Sequence, residues 1–155
     1  MSSQKRYRFG RIGACFLLIG ASSIGLQQPA TASNTSLTVK VNGFRSQKGQ
    51  LCLSLFSKAQ GFPTSSSGAT QAKCLKANAP QITFKNLNSG SYAIAVFHDA
   101  NGDGVLNRNG IGIPTEGFGF SRNPRIMTGP PRFSDSAVFL AGPGQNINIK
   151  LNYML

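Results

Sequence analysis

The sequence predicts an all-β domain, an antiparallel two-sheet sandwich of about seven short strands that carries one long glycine-rich loop. Three observations predict it. Apolar and polar residues alternate with period two in several short runs. Asn-Gly, Lys-Gly, Asn-Ser-Gly and Gly-Pro-Gly clusters punctuate those runs. No long run keeps the 3.6-residue apolar period of an amphipathic helix. The 155 residues fit one domain, and 40% hydrophobic content with only 13% charge is enough for a core.

The leading segment stands apart. Lys5, Arg6, Arg8 and Arg11 precede an uncharged, mostly apolar stretch from Ile12 to Leu26, and Ala30-Thr31-Ala32 follows. A positive region, an apolar run and a small-x-small site together predict a signal peptide over 1–32, cleaved after Ala32. The apolar stretch falls short of the ~20 residues of a membrane span, so no stable span is expected after cleavage. Cys15 lies near the start of the apolar run and not after it, which argues against a lipidated cysteine. The mature domain is then 33–155, exported to the periplasm or the extracellular space.

Within that domain the elements follow in order. Leu37, Val39 and Val41 alternate with Thr38, Lys40 and Asn42, a half-buried strand. Leu51, Leu53 and Leu55 alternate with Cys52, Ser54 and Phe56, which sets Cys52 on the face opposite the leucines. Residues 57–70 read as a polar loop, and Gln71 to Lys76 as a short strand or a strand after a helical turn. Ile82 and Phe84 alternate with Thr83 and Lys85. Tyr92 to Phe97 is apolar on both faces, the mark of a central covered strand. Ala137 to Leu140 is a similar short run, and Ile147, Ile149, Leu151 and Tyr153 form a clean amphipathic strand. Residues 98–135 read as strandless, with glycines at 102, 104, 110, 112, 117, 119 and 129. A connection that long in a small sandwich is functional or must be tied down.

Charge and cysteine content narrow the class. The full chain carries +12, and loss of the four basic residues of the leader leaves +8. That favours anionic partners in the cell envelope, such as lipid head groups or acidic glycans. The basic residues are scattered, with no basic run outside the leader, so nucleic acid is not an expected partner. Cleavage leaves two cysteines, Cys52 and Cys74. An oxidising compartment makes one disulfide the simplest expectation and two separate thiols the alternative. The bridge would close a loop of about 20 residues, worth ~3 kcal/mol in the chain-entropy account.

The acidic residues of the mature chain are Asp99, Asp103, Glu116 and Asp135, all in the long loop with the only histidine, His98. Asp99, Asn101 and Asp103 occupy alternate positions before Gly104, as in the first half of an EF-hand calcium loop. Val105 would offer a carbonyl and Asn107 a further oxygen. The position of the bidentate glutamate is Gly110, so Glu116 or Asp135 would have to complete the set. Two readings stay open: a weak calcium site, and Asp and Asn side chains capping turns through hydrogen bonds to nearby backbone. His98 shares strand parity with Tyr92, Ile94 and Val96, which predicts a half-buried structural role. Ser121, Ser134 and Ser136 lack any nucleophile-elbow motif. Phe118 and Phe120 share one face if extended. They either cover the end of the sandwich or, with His98 and Arg122, form a ligand surface. Arg122, Arg125 and Arg132 lie just beyond and could either pair with the local acids or meet an anion.

Three stretches resemble the bacterial DUF2141 family: Gly90 through Gly104 (GSYAIAVFHDANGDG), Ile111 through Ser121 (IGIPTEGFGFS) and Gly129-Pro130-Pro131-Arg132-Phe133. Leu55-Phe56 with Gly61-Phe62-Pro63 agrees, and the resemblance spans about residues 36–153. It implies a small exported sandwich similar to transthyretin-like and collagen-adhesin B-type modules, and it implies no activity. The expected function is a non-enzymatic exported binding module with the long loop at its binding end. The competing classes are a metal-dependent hydrolase-like enzyme using His98, Asp99 and Glu116, and a purely structural envelope protein.

Overall fold

The computed structural model describes residues 34–127 and 129–155; the predicted leader lies outside them. Among the described residues, eight strands form two sheets. The first sheet orders β4 (Gln81–Leu87), β1 (Thr35–Asn42) and β8 (Gln145–Lys150). The second orders β3 (Gln71–Lys76), β2 (Gln50–Phe56), β5 (Gly90–Asp99) and β6 (Gly117–Phe120), with β7 (Val138–Leu140) beside the beginning of β5. The helical content of the described residues is one short turn at Ser66–Gly68 and the four-residue α1 (Phe133–Ser136). No helix of the described residues is long and apolar enough to cross a membrane.

Period-two alternation builds the core between the sheets. Leu37, Val39 and Val41 of β1 face Leu51, Leu53 and Leu55 of β2 and Ile94 and Val96 of β5, all at most 2% exposed. Phe84, Ile149, Leu151 and Leu140 complete the layer. Fully burying aliphatic side chains of this kind stabilises by about 1.5–3 kcal/mol each.

Three expectations change. The strands number eight, not seven. The region read as strandless contains β6, antiparallel to β5 with Phe97 opposite Phe118. Glycine is a poor strand former and gives Gly-Phe-Gly-Phe no polar alternation, so the pattern was silent there. The sheets are also not wholly antiparallel, because β1 and β8 pair in parallel, Val39 opposite Ile147. These strands lie at opposite ends of the chain, and only strands joined by a tight turn must run antiparallel.

Gly117 and Gly119 do in β6 what side chains could not. They face inward, where a Cβ on Gly119 would lie 2.8 Å from both Ile149 Cγ2 and the Lys150 carbonyl oxygen. Phe118 and Phe120 therefore point outward, and the closing strand is bridged to the chain just after β8 through Phe118 N–H to the Asn152 carbonyl at 2.9 Å and the reciprocal bond at 2.7 Å.

The Cys52–Cys74 disulfide joins directly opposed residues of β2 and β3, on the outer face of the five-stranded sheet. A second apolar layer lies on that same face. Phe62 meets Phe56, Phe120 and Phe133 edge-on at centroid distances of 5.3, 6.0 and 5.9 Å. It pins the 57–70 loop and α1 to the sheet.

Gly119→Ala should destabilise the domain by about 1–3 kcal/mol, because the obstructing atoms include backbone and cannot swing away. Urea unfolding measures it; a loss under half a kilocalorie would contradict the close approach of β6 to β8.

Candidate functional site

The loop after β5 is folded around carboxylates. β5 ends at Asp99, opposite Gln50 in the register of β2. Asp99 is fully buried, and both its oxygens are occupied. Oδ1 accepts from the Gly102 and Asp103 amides at 2.7 and 3.1 Å. Oδ2 accepts from the Gly104 amide and from Gln50 Nε2, each at 2.7 Å. Gly102 and Gly104 have φ of +81° and +80°, the left-handed conformation that turns successive amides inward and that side chains resist.

Asp103 repeats the device on the exposed side. Its Oδ1 accepts from the Val105 amide at 2.9 Å, and its Oδ2 accepts from Asn101 Nδ2 and Asn107 Nδ2 at 2.8 and 3.0 Å. Glu116 clasps the loop from the start of β6, accepting from the Ala100 amide at 2.9 Å and the Asn107 amide at 3.0 Å. Nine N–H donors thus converge on three carboxylates. Asn107 Oδ1 has no hydrogen-bond partner among the described residues. Asp135 is elsewhere, accepting from the Arg132 amide in the α1 capping box. Among the described residues, no three His, Cys, Asp or Glu side chains are grouped to hold a metal ion.

These contacts set the acid–base behaviour of the loop. Burial pushes the Asp99 carboxyl upward, but the hydrogen bonds from Gln50, Gly104, Gly102 and Asp103 together outweigh it and hold the group below its ordinary 3.8. Hydrogen bonds from Asn107, Val105 and Asn101 hold Asp103 below its ordinary value as well.

His98 is 2% exposed and points into the interior. Its Nε2 lies 2.8 Å from the Lys48 carbonyl, which can only accept, so Nε2 carries the proton. Nδ1 then accepts from the Tyr153 hydroxyl at 3.0 Å, and that hydroxyl accepts from the Arg45 amide at 3.2 Å. The ring is sandwiched edge-on by Phe44 and Tyr153. His98 and Asp99 are adjacent in sequence but face opposite ways, so His98, Asp99 and Glu116 do not converge on an open cleft. Ser121 is buried and continues the sheet ladder: its Oγ accepts from the Ile94 amide and donates to the Ser136 carbonyl. Arg122 rests an amine of its guanidinium near the Ser134 and Ala137 carbonyls, at 3.5 Å each.

What the carboxylate-held loop creates is a groove of about 720 Å³ on the outer face of the five-stranded sheet. Phe97, Phe118 and Phe120 form its floor, and Leu106, Ile113 and Ile126 its sides. Its rim holds Val105, Ile111, Met127 and Met154, between 45% and 81% exposed. Those are four of the six large apolar side chains that are exposed among the described residues. Phe118 and Phe120, read from sequence as either an end cover or a ligand surface, lie in the groove floor, each only 6% exposed. The rim was missed. Its signal was apolar pairs lying outside any strand, such as Val105-Leu106 and Ile126-Met127.

Fold and site define a small two-sheet β-sandwich with an apolar groove walled by a self-capped loop. Residues 39–148 match the family model described as an uncharacterized protein conserved in bacteria (DUF2141), and the chain belongs to that family. No curated protein and no solved structure matches it.

Because the folded Asp99 carboxyl is depressed, its contribution to stability is complete above its unfolded value and is lost as pH falls through the lower, folded one. Urea unfolding should show the wild type losing stability between pH 5 and pH 3, a window set by roughly the unfolded carboxylate pKa. Asp99→Asn should be less stable at pH 7 by about 1–3 kcal/mol, since an amide cannot accept from all four donors, and should lose less between the two pH values. Equal acid sensitivity in both proteins would contradict this role.

Proposed function

We propose that the chain is an exported, non-enzymatic binding module of the transthyretin-like or collagen-adhesin B-type class, periplasmic or extracellular, whose ligand lies in the groove. The observation that carries this reading is the concentration of exposed apolar side chains around one apolar trough. Contiguous apolar exposure of this kind marks a binding surface, and the volume falls within the ~300–1,000 Å³ of ligand sites. Two sheets with almost no helix suit the proposed class. A leader-like 1–32 segment and a disulfide support export.

The hydrolase reading has less support. Both ring nitrogens of His98 are engaged, and Asp99 is buried with its lone pairs filled by N–H donors. The same donors favour turn capping over calcium as the purpose of the Asp99–Asn107 spacing. A cation at Asp99 would displace amide hydrogen bonds that already fold the loop.

Nile red, an uncharged dye that brightens in apolar sites, tests the groove. The mature protein should bind it saturably at one site. Val105→Asp with Met127→Asp should abolish the enhancement while leaving the melting temperature within a few degrees, since both side chains are exposed. Absence of enhancement in the wild type, or its persistence in the double variant, would contradict the proposal.

A further inference from the structure

The groove does not end in apolar surface. A second hollow of about 430 Å³ adjoins it and shares Ile126 and Met154 with it. This hollow is half polar, lined by Asn123, Arg125, Lys150 and Tyr153 as well as Pro124, Ile126 and Met154. Asn123 is already spent: its Nδ2 donates to the Asn148 carbonyl and its Oδ1 accepts from the Lys150 amide, covering the exposed edge of β8. Arg125 is exposed and makes no hydrogen bond or ion pair with the other described residues. On the trough side, Arg108 uses one of its guanidinium amines on the Gly112 carbonyl at 2.9 Å and keeps its remaining donors. None of the four carboxylates of the mature chain lines either hollow. The site is thus an apolar trough with a cationic end.

Resting on the groove as the ligand site, we propose that its ligand is a monomeric anionic amphiphile. An acyl chain lies along Phe97, Phe118, Leu106 and Ile126, and a carboxylate or phosphate head meets Arg125 and Lys150. Apolar area gives the chain its affinity, and the two cations select the charge of the head. An acidic glycan would satisfy the cations and leave the exposed Val105, Ile111 and Met127 without a partner, so it fits less of the site. The recess between loop and sheet suits a single extracted chain, whereas a bilayer surface would need a protruding apolar face.

The probe is cis-parinaric acid, a naturally fluorescent fatty acid, titrated below its micelle concentration into the mature protein, with its methyl ester as the uncharged control. The acid should bind more tightly than the ester. Arg125→Glu should weaken the acid by roughly fivefold, through lost attraction and added repulsion, and leave the ester unchanged. A vesicle arm separates the sources of the head group: the protein should not float with phosphatidylglycerol vesicles. Equal affinities for acid and ester, or an unaltered affinity in Arg125→Glu, would overturn the anionic head while leaving the groove in place. Failure of both probes to bind would overturn the groove reading with it. Flotation with the vesicles in the absence of parinarate binding would make this a membrane-docking face and overturn the monomeric ligand.

Discussion

A glycine-rich loop laid against a sheet carries many amides, and each must find an acceptor or remain in water. Here Asp99, Asp103 and Glu116 supply that acceptance, and the rest of the site depends on it. Asp99 does so from the end of the central strand, where Gln50 braces it from the neighbouring strand. Glu116 does so from the start of the closing strand, tying residues 100 and 107 to the same point. The loop is thereby anchored at both ends to adjacent strands of one sheet. Its apolar residues, Val105, Leu106, Ile111 and Ile113, are held over the sheet and do not collapse into the core.

The sheet beneath is unusual in being apolar on both sides. Inward, Ile94 and Val96 meet the leucines of β2 and the valines of β1. Outward, Phe97, Phe118 and Phe120 would be exposed without the loops. Glycine at 117 and 119 makes this arrangement possible, because the inward positions of β6 have no room for a side chain. The alternation of glycine and phenylalanine is therefore one device serving two faces: close sheet packing inside and an aromatic floor outside. The Phe62 cluster and the disulfide cover one part of that outer face, and the groove is the part they leave open.

The elements legible in sequence were those whose alternation contrasts apolar with polar residues. The runs at Leu37–Val41, Leu51–Leu55 and Ile147–Leu151 carry that contrast, and the parity of His98 with Ile94 and Val96 gave its inward face, although the ring is fully buried and not half-buried as expected. The cysteine pair was legible because residues 33–155 hold only two thiols, which leaves one pairing. β6 was not legible, since its contrast is between absence and presence of a side chain. Nor was the parallel pairing of β1 with β8, which depends on how distant segments meet. The Asp-x-Asn-x-Asp-Gly spacing marked where oxygens gather. It did not show that N–H groups of the same loop and of Gln50 already bond both oxygens of Asp99 and of Asp103. The groove was hidden for a further reason: Phe97, Leu106, Met127 and Met154 are dispersed over the chain, and only folding assembles them.

Amide hydrogen exchange in calcium-free buffer tests the central claim, that the carboxylates hold this loop without a bound cation, most directly. Gly102 and Gly104 donate to Asp99, and Ala100 and Asn107 donate to Glu116. Hydrogen-bonded amides of a folded loop exchange more slowly than those of an open one. All four should be protected with chelator present, and Glu116→Ala, which removes both acceptor oxygens, should expose Ala100 and Asn107 first. Exchange of all four at unfolded-chain rates, with protection appearing only on addition of calcium, would contradict the account.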